Sequence, residues 1–319
     1  MIPAELEASI IDLPTVDSCR IVIITGTELC HDRFALRLQS EFPGLVAAWL
    51  QVVPAGGGLP SPGAYRRLVR LRAALSSLAN SMPQILASRL GRRAMVKRTR
   101  NFCEPAWRYL AYKFLRRATP QRTVEQRLFG YEIERLRKAA YIAPTIVENP
   151  NSAEVIASIK ALDPYFILTF GGAIYGKALC ACARGLALNQ HDGWCPDYRG
   201  SETVDWALYH RDLSKVSNTV HILTDGMNSG PILRRSSACL AVDDTPESCF
   251  ARSVALGTEL MCETVREIIQ TKRARIFPQP QFGGFTYVYK HMTNDVRRAI
   301  RADLQQGLIK DDVARRTNF

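Results

Sequence analysis

The sequence predicts an α/β fold with a mostly parallel sheet, and three observations carry that prediction. Short β-branched or apolar runs, first among them residues 20–26 (R-I-V-I-I-T-G), recur between stretches of helical character. Gly and Pro mark the changes, as at Pro43-Gly44, Pro164 and Gly171-Gly172. The run at residues 186–188 is apolar throughout, which suits a strand buried in a sheet covered on both faces.

Taken in order, residues 20–26 form a strand ending in Gly26, residues 32–41 a helix stopped by Pro43-Gly44, and residues 45–53 a second strand. The chain therefore opens as a βαβ unit. Residues 54–63 are a Gly- and Pro-rich loop. From residue 64 to about 140 the sequence becomes Arg-rich and helical, broken by Pro83, Pro105 and Pro120, and reads as a basic helical insertion. The βα rhythm then resumes with a strand at 142–147. Asn151-Ser152-Ala153-Glu154 starts a helix, with Ser152 or Asn151 as its N-cap. A strand over 165–170 ends at Gly171-Gly172, and a short helix over 175–184 leads to the apolar strand that ends Asn189-Gln190-His191. Residues 201–210 look helical, 218–223 form a strand, and 231–242 pair beside it. Thr245-Pro246-Glu247 opens a long amphipathic helix running to about Gln270. Residues 1–270 thus form one domain, and 271–319 a short C-terminal extension acting as a lid or dimer element. Within the extension, Phe282, Phe285, Tyr287 and Tyr289 suit an edge strand, which favours a homodimer; a charged helix follows Thr293.

Composition narrows the class. With 319 residues, 47% hydrophobic and 23% charged, the chain matches a soluble globular protein. No apolar run nears the roughly 20 residues that span a bilayer, and the first twenty residues lack a basic start and an apolar stretch, so a cytoplasmic location is expected. Nine cysteines are scattered without metal-type pairing; Cys180 and Cys182 have no matching pair. That usage suits a reducing compartment and argues against any metal site. The net charge of +12 is local: residues 64–138 hold nineteen Arg and Lys against four Glu, leaving the rest slightly acidic. A solvated helical surface accounts for the basic segment as well as attraction of anionic ligands does. Aromatics interleave the charges, but Trp107, Leu110 and Phe114 fall at core spacing, so nucleic-acid binding is disfavoured.

The richest segment is residues 185–200. Strand side chains alternate, so Asn189 and His191 point to one side about 7 Å apart. A hydrogen-bond donor and a titratable imidazole then meet at the carboxyl end of a strand, where open α/β sheets place their chemistry. Asn189-Gln190-His191, then Pro196-Asp197-Tyr198-Arg199-Gly200, then Thr219-Val220-His221 running to Gly230-Pro231-Ile232-Leu233 appear in an order and spacing that resembles the 10-formyltetrahydrofolate-dependent formyltransferase family. The match covers roughly residues 142–240 and leans to the methionyl-tRNA and sugar N-formyltransferase branches.

The resemblance implies a Rossmann-like sheet that binds 10-formyltetrahydrofolate and passes its formyl group to a primary amine of a small molecule. Asn189 and His191 would stabilise the tetrahedral oxyanion. Phe170-Gly171-Gly172-Ala173 and Leu223-Thr224-Asp225 are the candidate pterin loops, and Asp192, Trp194 and Arg199 the candidate acceptor contacts. One departure stands out: Asn228 occupies the position of the family's catalytic Asp, and an amide neither takes a proton nor raises an imidazole pKa by charge. Asp225 serves instead, or Asn228 merely orients, or the chain is a non-catalytic ligand-binding member; transfer of a formimidoyl group is a further variant. His31, His210, His221 and His291 read as ordinary packed or exposed histidines. Among acceptors, Gly26-Thr27-Glu28-Leu29 places an acid where the glycinamide-ribonucleotide branch binds phosphate. Only some fifty residues follow Thr271, too few for the methionyl-tRNA branch's C-terminal barrel. The formyl-folate hydrolase branch opens with a regulatory domain not evident here. A sugar nucleotide or a natural-product or amino-acid intermediate is left as acceptor.

Overall fold

The computed structural model describes residues 8–53, 120–280 and 284–317. Its centre is a sheet of seven strands: β2 (Ile21–Thr25), β3 (Val46–Val52), β4 (Thr145–Val147), β5 (Phe166–Phe170), β6 (Leu186–His191), β8 (Ser217–Ile222) and β9 (Ile232–Ser237). Their order across the sheet is β4-β3-β2-β5-β6-β8-β9. The first five run parallel, while β8 and β9 are antiparallel to their neighbours. The predicted mostly parallel α/β sheet is what forms. β2 and β5 are buried at every position, as central strands covered on both faces must be.

The pleat sorts the apolar side chains onto two faces. Ile21, Ile23 and Leu168 pack beneath α1 (Leu29–Glu41), α2 (Pro120–Ala139) and α6 (Pro246–Thr271), meeting Phe34, Ile133 and Met261. Val22, Ile24 and Ile167 pack on the opposite face under α3 (Ala153–Ala161) and α4 (Lys177–Cys180). Local signals explain the helix starts. Ser152 caps α3 by accepting from the Val155 N–H, and α6 opens on a Thr245–Ser248 capping box with Pro246 in its first turn.

Two sequence expectations change here. The stretch assigned to a basic insertion ends in a core element: α2 sets Phe129, Ile133 and Leu136 against α1 and α6, and its Arg-rich face is simply the outward one. The remainder of that stretch, with Trp107 and its aromatic neighbours, lies outside the described residues. The helix expected over 175–184 shrinks to the four residues of α4.

The C-terminal extension folds back on the chain itself. β10 (Arg273–Ile276) pairs with β1 (Ser9–Asp12), and β11 (Phe285–Tyr287) pairs with β7 (Tyr198–Gly200). Tyr287 is buried, stacked on Tyr198 and Trp206 with ring centroids 5.7 and 4.8 Å apart. Tyr287 is thus packed within the chain, while Phe285 and Tyr289 stay exposed. Helices α7 (Asn294–Gln305) and α8 (Leu308–Thr317) close a third cluster over α5 (Thr203–Tyr209), in which Ile300 and Ile309 are buried.

Candidate active site at the end of the sixth strand

Strand register assembles the site. Thr169 on β5 lies opposite Asn189 on β6, and Asn189 opposite His221 on β8, so three polar side chains form a row across adjacent strands. The Thr169 hydroxyl donates to Asn189 Oδ1 at 2.7 Å, which turns the Asn189 amide nitrogen the other way. That nitrogen reaches His221 Nε2 at 3.1 Å and Asn228 Oδ1 at 3.4 Å. His221 Nδ1 donates to the Ile222 carbonyl at 2.8 Å, which leaves Nε2 as the acceptor for Asn189.

His191 is fixed by the same logic. Its Nε2 donates to the Tyr198 carbonyl at 2.9 Å, and its Nδ1 accepts from the Asn228 amide nitrogen at 3.1 Å. Burial holds both His191 and His221 down to about 4, so each is neutral near pH 7. Neutral His191 therefore turns a lone pair, not a proton, toward Asn228. The donor facing the cluster is Asn189, while His191 presents an acceptor.

Asn228 reaches both catalytic candidates from the connection between β8 and β9. Its φ of +50° is a left-handed conformation that Asn tolerates better than most residues, and it folds the side chain back over the strand end. Asp192, the residue after His191, sits with Oδ1 3.8 Å from His191 Nδ1. Burial pushes its carboxyl up to about 6.

These groups line a cavity of about 490 Å³. Phe170, Gly171, Gly172 and Ala173 form one wall, and Leu223 and Thr224 another. Gly172 is at φ +93°, and a Cβ there would lie 2.7 Å from the Tyr175 hydroxyl, so the backbone passes where only Gly fits. The Tyr175 hydroxyl in turn donates to the Gly171 carbonyl at 2.7 Å. A second cavity of about 480 Å³ adjoins the first, and Asp192, Phe250 and Tyr289 line both.

Three of the expected site residues are held elsewhere. Asp225 is exposed and ion-paired with Lys177 at 3.2 Å, outside the cavity lining, so it stands away from His191. Trp194 packs its ring against the Arg235 guanidinium at 3.7 Å rather than facing the cavity. Arg199 is buried, its guanidinium bound to Gln279 Oε1 at 2.8 and 3.0 Å. Conversely, Thr169 and Gln279 were not among the expected site residues, and His221, expected to be an ordinary packed histidine, bonds to Asn189. Gln279 donates to the carbonyls of Asn228 and Gly230 at 3.0 and 2.6 Å, tying the C-terminal extension to the Asn228 turn. Only His221 had a signal in the sequence, since it shares strand alternation with Thr219; the others depend on long-range register and packing.

Comparison with known proteins places the region. Residues 119–265 match the family model described as formyl transferase. The methionyl-tRNA formyltransferase of Thermodesulfovibrio yellowstonii is 29% identical over 134 residues, 41% of this chain and 42% of that protein. That of Trichlorobacter lovleyi is 31% identical over 129 residues, 40% of each chain. The matched part thus spans about two fifths of the length of these relatives. A sugar N-formyltransferase from a Shewanella species has a TM-score of 0.49 and 11% identity, covering 89% of this chain and 87% of that one, a likeness too slight for any inference to rest on. The matched span, a little under half of the chain, holds the whole Thr169–Asn189–His191–His221–Asn228 cluster, and over it the chain is similar to the formyl transferase family.

Proposed function

We propose that this protein is an N-formyltransferase that takes the formyl group of 10-formyltetrahydrofolate and transfers it to a primary amine of a small molecule. The observation that carries the reading is the closed network of Thr169, Asn189, His221, Asn228 and His191, aimed into a cavity walled by the two loops expected to hold a pterin. A pterin offers a flat ring with an edge of donors and acceptors. Phe170, Ile174 and Val288 supply apolar lining for the ring, and the backbone of residues 171–173 and 223–224 supplies groups for the edge.

The amine attacks the formyl carbon, and the carbonyl electron pair moves onto oxygen. Asn189 supplies an N–H to that oxygen, by exchanging its longer 3.4 Å link to Asn228 while Thr169 keeps the amide oriented. Donors of this kind, held ready rather than recruited, are worth about 3 kcal/mol of barrier each. His191 Nδ1 accepts the amine proton. The acceptor class is a sugar nucleotide or a natural-product or amino-acid intermediate. A second reading, a folate- or ligand-binding protein without turnover, is favoured by Asn228 in the family's carboxylate position.

Calorimetry with a stable 10-formyltetrahydrofolate analogue, followed by a screen of amines for donor consumption, separates the two readings. Formyl transfer that falls 100-fold or more in Asn189→Ala, with analogue affinity within a few-fold, is expected. Tight analogue binding with no transfer to any amine class would favour the binding protein, and no binding by folded protein would remove both.

A further inference from the structure

The geometry points to Asp192 as the carboxylate that serves His191 in this chain, in place of the one missing at position 228. This rests on the formyl-transfer reading above. Among the described residues, Asp192 is the carboxylate within 4 Å of His191, with Oδ1 3.8 Å from Nδ1, close enough to pair with it once the imidazole takes a proton. That nitrogen carries the lone pair, held only by the Asn228 amide, because Nε2 donates to the Tyr198 carbonyl. Asp192 is also at the seam of the two cavities, the place where a donor in one and an amine in the other would meet.

The competing candidates fail on position or chemistry. Asn228 touches Nδ1 but carries no charge and accepts no proton. Asp225 is at the surface with Lys177. The backbone holds Asp192 in place: its carbonyl accepts from the Thr203 hydroxyl at 2.6 Å, fixing the turn that follows β6.

In the proposed step the amine nitrogen bonds to the formyl carbon, and one proton passes from that nitrogen to His191 Nδ1. An imidazolium buried this deeply is costly unless a negative charge is near, and Asp192 supplies one. When the bond from the formyl carbon to the donor nitrogen breaks, its electron pair returns to that nitrogen, which takes the same proton. The amine loses one hydrogen and the donor gains one, with no other reactant. Asp192 acts through His191 and is a positioning residue.

The surrounding charges frame its titration. Glu28, Glu125, Glu202 and Asp205 face Asp192 across the second cavity, with Arg297 bound to Glu202 and Asp205. His221 and Arg199 are on the side of His191, and the Asp192 charge also acts on the buried Cys30 thiol.

The test is a charge swap. Asp192→Asn should lower kcat about 100-fold while leaving the affinity for the folate analogue within twofold. It should also move the acidic limb of kcat/KM from near pH 6, where Asp192 takes a proton, toward pH 4, where His191 does. Adding Asn228→Asp to that variant should restore at least tenfold. Unchanged rate and limb in Asp192→Asn, or no recovery in the double variant, would overturn the assignment. A direct readout holds even if no tested amine turns over: the ¹⁵N signals of His191 should show an inflection near pH 6 in the wild type that vanishes in Asp192→Asn. Its persistence in the variant refutes the role of Asp192, whereas failure of the wild type to bind the analogue refutes the formyl-transfer reading instead.

Discussion

At the scale of single residues, the site depends on which atoms are already committed. The Ile222 and Tyr198 carbonyls set the proton positions of His221 and His191, and the Thr169 hydroxyl sets which way Asn189 faces. Each of these is a buried polar contact whose loss leaves a partner unsatisfied, at about 1–3 kcal/mol. Thr169→Val keeps the shape and removes the hydroxyl. We expect kcat to drop about tenfold with little change in analogue affinity, because the Asn189 amide loses its preferred orientation but not its place. Steady-state kinetics at saturating donor checks this; an unchanged kcat would mean that His221 alone orients Asn189. The sequence showed Asn189, His191 and Asn228 as a set. It did not show Thr169, because a threonine inside an apolar strand carries no mark of its neighbour on the next strand.

At the scale of elements, the turn after β6 does the most. Gly193 lets the chain double back so closely that a Cβ there would lie 2.5 Å from the Tyr198 carbonyl oxygen and 2.6 Å from His191 Nε2. The hydrogen bond that fixes the His191 tautomer exists only because that space is empty. Gly193→Ala should therefore displace the imidazole and cut turnover by 100-fold or more, while the fold survives, since the turn sits at the end of the sheet. Activity together with circular dichroism tests this, and full activity in a folded variant would show that the ring has another stable position. The C-terminal extension belongs to this scale as well. It adds β10 to β1 and β11 to β7, and through Gln279 it holds the Asn228 turn. Its aromatic alternation was legible as an edge strand, but the partner strand in the same chain was not, since strand pairing across about 90 residues leaves no local trace.

At the scale of the whole molecule, buried titratable groups pull in opposite directions with pH. His191 and His221 are held near 4, below the ordinary histidine value, so the unfolded chain binds more protons and stability is lost as pH falls from about 6.5 toward 4. Asp192 and Asp205 are raised by burial to about 6 and about 7, so the folded chain binds more protons there and stability is gained over the same fall. His31, held down to about 3 by burial, adds to the loss, and Glu125, raised by burial, to the gain; the two effects oppose, and the melting temperature of the wild type should change little between pH 6.5 and 4.5. In Asp192→Asn, Asp205→Asn their gain is gone, and the melting temperature should fall more steeply with acid. Thermal denaturation across that range checks it; parallel curves would mean that these carboxyls have ordinary values.

The sequence by itself determined the strand-forming runs, the punctuation between them, the helix caps at Ser152 and Thr245, and the ordered motif that carries the resemblance to formyltransferases, because each is written in residues near one another along the chain. It did not show that α2, at the end of the stretch read as a basic insertion, turns an apolar stripe into the core. Only the tertiary structure decided that Thr169, Asn189 and His221 share one row, that Asp225 faces solvent while Asp192 faces His191, and that Trp194 and Arg199 are held by Arg235 and Gln279. Register and burial are set by packing between distant segments, and local sequence does not encode which distant neighbour arrives.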